Sequence, residues 1–307
     1  MQLIRGLKRS RHKPGCVATI GNFDGLHLGH QQLVNRMLAA ASLHALPATL
    51  ISFDPLPHEF FAQSNAPARI NGFRDRYQSA AAMNIEHYLL LDFDQAMADL
   101  SPQAFIEDVF IHTLGVKHLV VGDDFRFGHR REGDITHLQL AGEDHGFTVE
   151  QIPTVTRDNT RISSSEIRAH LASGRLDEAT AMLGRPYTIS GRVIHGEKVG
   201  RQLGFATANV ALGKHRPPAR GVFAVQALHR ETGEQYRAVA NLGERPTLGG
   251  RKLLLEVHCL DDNPDLYGQH LQVEFMHYLR AERKFDSLDD LKQAIAADAD
   301  AARHCLR

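Results

Sequence analysis

Residues 17–30 read Val17-Ala18-Thr19-Ile20-Gly21-Asn22-Phe23-Asp24-Gly25-Leu26-His27-Leu28-Gly29-His30. Val17 to Ile20 is a short apolar run. Beyond the turn, Leu33, Val34, Met37 and Leu38 fall on one face at helical spacing. The stretch therefore reads as a buried strand that hands a glycine-rich turn and two histidines to the start of a helix. Helix starts carry unpaired N–H groups and a partial positive charge, so they attract phosphate. Gly25 and Gly29 let backbone approach a ligand closely, and His27 and His30 add donors that can carry positive charge. Nucleotide chemistry is expected here, with phosphate against Gly21, Asn22, Phe23, Asp24, Gly25 and Gly29.

Working outward, the first half alternates strand-like and helix-like segments. The strand candidates are 17–20, 48–53, 87–91, 118–121 and 147–151, with helices over 29–44, 73–83, 102–113 and 135–143. Such alternation predicts a parallel sheet with helices on both faces. Ligands of such sheets bind beyond the carboxyl ends of the strands, where the 21–30 turn and Gly122-Asp123-Asp124-Phe125 both fall. Two short helices, 163–172 and 176–183, follow. At Gly184-Arg185-Pro186 the pattern changes to short β-like runs (188–194, 221–228, 236–242, 253–259 and 270–275), which predict a small barrel or sandwich. An Ala-rich amphipathic helix over 288–303 closes the chain. The expected fold is α/β followed by a small β domain, with domains over 1–183 and 184–307.

Composition narrows the class. A chain of 307 residues is long for a single core. A net charge of −1 and 7 % aromatic residues without Trp give no case for nucleic acid. No stretch has the length of a membrane span or of a signal-peptide apolar run. Cys16, Cys259 and Cys305 are widely spaced, so a cytoplasmic protein without disulfides is expected. Nothing points to an obligate protein partner. His27 and His30 could begin a zinc site, but no further ligand stands at a familiar spacing.

Other motifs are ambiguous alone. Ser163, Ser164 and Ser165 precede a helical pattern and serve equally as an N-cap or, with Arg168, as a phosphate clamp. The 196–204 loop, containing Gly200 and Gly204, is glycine-rich but not a P-loop. Thr207 and Asn209 lie two apart in an extended segment and offer two neutral oxygens to one side. Mg²⁺ held mainly by ATP phosphates and water needs no more than that from a protein. Glu256, within an apolar β run, is either solvated on one face or held for proton transfer.

The ordered set resembles the bacterial bifunctional riboflavin kinase/FMN adenylyltransferases, or FAD synthetases, over about residues 15–303. The motifs are G-N-F-D-G-L-H-L-G-H (21–30), F-D-P-L-P (53–57), G-D-D-F-R-F-G (122–128), I-S-S-S-E-I-R (162–168), G-R-Q-L-G-F-A-T-A-N (200–209), N-L-G-E-R-P-T (241–247), L-E-V-H-C-L-D (255–261) and L-R-A-E-R-K-F (279–285). Ala206 stands where the family usually has proline, and Leu56 where histidine is common.

The resemblance implies a Rossmann-like nucleotidyltransferase domain followed by a β-barrel riboflavin kinase domain. The kinase would phosphorylate riboflavin from ATP to give FMN, with Glu256 as general base and Thr207 and Asn209 holding Mg²⁺. The adenylyltransferase would convert FMN and ATP to FAD and pyrophosphate, using His27, His30, Ser164 and Arg168. Asp124, Gly200 and Gly204 would contact nucleotide. Phe53, Pro55, Phe125, Phe127 and Arg280 would contact flavin. A different nucleotidyltransferase would leave 184–303 unexplained, and a regulator that had lost catalysis would be expected to have damaged motifs.

Overall fold

The computed structural model describes residues 1–7, 15–157, 159–195, 205–247, 250–262 and 264–307. Their contacts form two compact units, Met1–Pro67 with Arg76–Ile162, and Ala68–Asp75 with Ser163–Arg307.

The first unit is built on β1 (Gln2–Arg5), β2 (Cys16–Ile20), β3 (Ala48–Asp54), β4 (His87–Asp92), β5 (Val116–Gly122) and β6 (Thr148–Ile152). They form one parallel sheet in the order β1-β4-β3-β2-β5-β6. Every residue of β2 is buried, as a central strand covered on both faces requires. Helices α1 (Leu28–His44), α2 (Pro57–Ala62), α3 (Phe73–Ala81), α4 (Gln95–Ala98), α5 (Pro102–Phe105) and α6 (Ile135–His145) connect the strands. The helix expected over 102–113 is α5 followed by a π-helical stretch, Ile106–Leu114. Strand β1 escaped the sequence reading. It is a four-residue edge strand whose pairing with β4 is a tertiary event.

The second unit holds α7 (Ser164–Ala172), α8 (Leu176–Leu183) and a closed barrel. The barrel strands are β9 (Tyr187–Ile194), β10 (Ala208–Val210), β11 (Gly221–His229), β12 (Gln235–Thr247), β13 (Gly250–Cys259) and β14 (His270–Arg280), in the order β10-β13-β12-β11-β14-β9. This settles barrel over sandwich. The terminal helix α9 (Leu288–Cys305) packs Ala299 and Ala302 against the outer barrel face at Val222, Ala224 and Val239.

The sequence pattern changes at Gly184, whereas the packing divides after Ile162. Helix α8 lies against β9 and β14, and residues 68–75 are tied to the barrel by side chains that the sequence reading did not weigh. Tyr187 Oη donates to the Ile70 carbonyl at 3.0 Å, and Asn71 Nδ2 to the Thr188 carbonyl at 3.0 Å.

The N–H of Ser190 donates to Asp75 Oδ2 at 3.2 Å. Burial pushes the Asp75 carboxyl up to about 6, against the Ser190 hydrogen bonds and the cations Arg185 and Arg74. Unfolded Asp ionises near about 4, so between about pH 4 and 6 the folded state holds the extra proton. Stability from this group is therefore greatest at the acid end and falls as pH rises, by about 3 kcal/mol across the window. Asp75→Asn keeps an acceptor for Ser190. It should raise the unfolding midpoint at pH 7.5 and change it little near pH 4.5. Equal shifts at both pH values would contradict this.

Candidate active sites

The turn after β2 is tightly wound. Phe23, Gly25 and Leu26 have φ of 48°, 84° and 41°, and Phe23, Asp24 and Leu26 are buried. His27 caps α1, with its Nδ1 accepting the His30 N–H at 3.4 Å. A ring nitrogen that accepts carries no proton, so neutral His27 keeps its N–H at Nε2. The His27 and His30 rings stack at 3.6 Å, tilted by 17°. A Cβ on Gly29 would lie 3.3 Å from the His27 ring, so glycine there lets the ring fold over the first turn.

Burial, with a smaller contribution from His27, holds His30 well below the usual histidine range. Its Nδ1 is buried without a hydrogen-bond partner. The sequence suggested donors able to carry charge. In the folded chain the neutral imidazole form of His30 is favoured, chiefly because burial strips solvent from the charged form.

Two further segments leave the carboxyl ends of strands adjacent to β2. Phe53 lies at the end of β3 and Pro55 just after it, joined through a cis Asp54–Pro55 bond. Phe53 meets Phe93 edge-on at 5.6 Å, and Phe60 and Phe61 pack on Phe93 at 5.5 and 5.7 Å. Phe61 is largely exposed. Spacing did not single out Phe60, Phe61 or Phe93, since their grouping depends on β3 and β4 being neighbours. Leu56 is buried, and its N–H donates to Glu59 at 2.8 Å.

After β5, Asp123 is used structurally. It accepts from the N–H and hydroxyl of Thr154 at 2.8 and 2.7 Å, which holds its carboxyl below the usual range. Asp124 pairs with Arg161. Phe125 and Phe127 stack at 5.5 Å.

Ser163, Ser164, Ser165 and Arg168 belong to the second unit. Ser163 is the N-cap of α7, its Oγ accepting from the Glu166 N–H at 3.2 Å. Ser164 and Ser165 begin the helix. Arg168 Nε donates to the Ala68 carbonyl at 2.6 Å.

The barrel register aligns a row of residues across five strands: Arg280, Val222, Asn241, Glu256 and Asn209 are successive neighbours. In β13, Leu255, Val257 and Cys259 are buried, so alternation places Glu256 and His258 on the opposite face. That face is not simply solvated. It forms a cavity of about 150 Å³ roofed by Leu291, Ile295 and Asp298 of α9 and lined by Thr207, Asn241, Glu256 and Arg280. Asn209 is buried beside Glu256.

Two features were invisible in sequence. Arg280 is held by Asp298 through two bonds of 2.8 and 2.7 Å, linking residues far apart in the chain. His258 Nδ1 lies 2.8 Å from the Ala206 carbonyl, with Phe205 edge-on to its ring at 5.3 Å. This contact steadies the segment before Thr207 where the family usually has proline. Gly200 and Gly204 lie outside the described residues. Among the described residues, no group of three or more His, Cys, Asp or Glu is placed to hold a metal.

A parallel sheet that delivers a capped, histidine-bearing turn to a helix start, together with a barrel whose outer face carries a half-buried carboxylate in a cavity, is the architecture of a two-part nucleotide-dependent transferase. The sequence pattern of the FAD synthetase family matches residues 9–166, and that of riboflavin kinase matches 183–306. Bifunctional riboflavin kinase/FMN adenylyltransferases are similar along nearly their whole length. The Escherichia coli K12 protein is 44% identical over 99% of this chain and 97% of its own. The Pseudomonas fluorescens protein is 46% identical over the same shares, 99% and 97%. A crystal structure described as a macrolide-efflux protein from Streptococcus pneumoniae superposes with a TM-score of 0.83 at 30% identity, covering 98% of each chain. No helix among the described residues is long and apolar enough to cross a membrane. The chain belongs to the bifunctional riboflavin kinase/FMN adenylyltransferase family.

Proposed function

We propose that the two reactions of the family are carried out at the residues described above, in the cytoplasm, with residues 184–307 as the kinase domain and 1–183 as the adenylyltransferase domain. The observation that carries the kinase reading is the cavity that gathers Thr207, Glu256 and Arg280, three residues named by motif alone. Glu256 takes the proton from the riboflavin 5′-hydroxyl as it attacks the ATP γ-phosphate. Arg280, aimed by Asp298, binds flavin. Thr207 and Asn209 fit Mg²⁺, being neutral oxygen donors beside Glu256 in an extended segment. When bound, the ion neutralises phosphate charge.

In the second reaction the FMN phosphate is already an anion and needs no base. His27 through Nε2–H, neutral His30 and the α1 N-terminus stabilise charge at the ATP α-phosphate. Gly21, Asn22 and Gly25 form the backbone cradle, around the buried Phe23 and Asp24. Ser164 and Arg168 are assigned to phosphate by motif. Asp124 is assigned to nucleotide and Phe53, Pro55, Phe125 and Phe127 to flavin by motif. Phe53 and Phe127 are buried in the core, so they support the flavin side from beneath, and Pro55, Phe125 and Phe61 are the more accessible of the set.

The test is incubation with riboflavin, ATP and Mg²⁺ followed by chromatographic separation of flavins. FMN and then FAD should accumulate with ADP and pyrophosphate, and chelation of the metal should stop both steps. Undiminished product formation after chelation would remove Mg²⁺ from the scheme.

A further inference from the structure

The strained 22–26 turn is anchored by a buried cation. Arg76, on α3, is only 2 % exposed. Its Nη1 donates to the Asn22 carbonyl at 3.0 Å and to Ser52 Oγ at 3.2 Å, and Nη2 donates to the Phe53 carbonyl at 3.4 Å. Ser52 is fully buried and also donates to the Asn22 carbonyl, at 3.2 Å. Nε is buried without a partner. All the acceptors of this guanidinium are neutral.

Burying a charge without a counter-charge is costly, and an apolar side chain of similar volume would serve a purely packing role better. The planar fork of arginine does what no apolar residue can, holding two chain segments at fixed angles. The segments held are the exits of β2 and β3, the end of a parallel sheet where nucleotides bind. Asn22 directly precedes Phe23, whose left-handed backbone, like that of Leu26, is unfavourable for a residue with a side chain. Such conformations persist only where the surroundings over-determine them.

We propose that Arg76 is a positioning residue for adenylyl transfer. By clamping the Asn22 carbonyl to β3, it sets the course of the turn that presents Gly25 and His27 to the transferred phosphate. The inference rests on the reading of residues 21–30 as the adenylylation site.

The test measures both reactions on the full chain, using Arg76→Met, Arg76→Lys, Ser52→Ala and His30→Ala, at a temperature where circular dichroism shows each variant folded. Arg76→Met should lower kcat for FMN adenylylation by ~10²-fold, the scale of a small misplacement of reacting groups. Riboflavin phosphorylation by the same molecules should be unchanged. Arg76→Lys keeps the charge without the fork and should recover only part of the rate. Ser52→Ala should show a smaller loss.

A merely structural role would lower the unfolding temperature and leave kcat intact below it. If Arg76→Met does not fold, Arg76→Lys and Ser52→Ala decide. Wild-type adenylylation kcat in folded Arg76→Lys and Ser52→Ala overturns the inference. Full FAD synthesis by His30→Ala would instead overturn the site reading. An impaired His30→Ala beside fully active Arg76 variants defeats the role of Arg76 alone.

Discussion

Glu256→Gln is expected to reduce FMN formation from riboflavin by ~10²–10⁴-fold, the usual contribution of a positioned base, while FAD formation from added FMN continues. A hydroxyl nucleophile carries a proton that must leave as it attacks, and Gln keeps the shape of Glu256 and one acceptor but cannot take that proton. Riboflavin binding should survive, so the loss belongs in kcat rather than KM. The cavity makes the expectation sharp. Glu256 stands in a cavity under α9, in register with Asn209 on one side and Asn241 on the other. A carboxylate merely solvated on a strand face would give almost no change in either reaction. Near-normal kinase turnover in this variant would leave the base unassigned.

His30→Ala is expected to lower FAD formation by ~10²–10³-fold, the scale of losing one charge-stabilising donor, with riboflavin phosphorylation retained as proof of fold. Because burial and His27 favour the neutral form of His30, its proposed role is that of an N–H donor, not of a fixed cation. The rate of adenylyl transfer should therefore show no loss attributable to His30 as pH rises from 6.5 to 8, the ordinary range over which a histidinium would discharge. A falling limb through that range that disappears in His30→Ala would show instead that the protonated ring does the work. Unaltered FAD synthesis would remove the 21–30 turn from the chemistry.

Much of this was legible along the chain because it is local. The strand, turn and helix of residues 16–44 are encoded by contiguous apolar runs, a glycine-rich turn and a capping histidine. Ser163 capping α7 likewise depends on neighbours three residues apart. The spacing of Thr207 and Asn209 already offered two neutral oxygens to one side, whereas the base role proposed for Glu256 came from the motif, since its apolar β run fitted a solvated carboxylate as well as one held for proton transfer. Edge strand β1 was missed, and the three-residue β10 was read only as an extended segment, because each is too short for a pattern and exists through its partners.

The sequence by itself determined the fold class, the order of the two parts, the turn that carries His27 and His30, and the family. Those properties rest on interactions among residues close in the chain, or on ordered motifs. Only the tertiary structure decided that the barrel closes, that α9 roofs the cavity over Glu256, that Asp298 holds Arg280, that residues 68–75 pack with the barrel, and that Arg76 is buried against Asn22. Each of these joins residues distant in sequence, and the energetics depend on desolvation and on which polar groups meet. A buried arginine beside three neutral acceptors and a histidine whose neutral form is favoured by burial have no signature in a string of residues, because burial is a property of the packed chain.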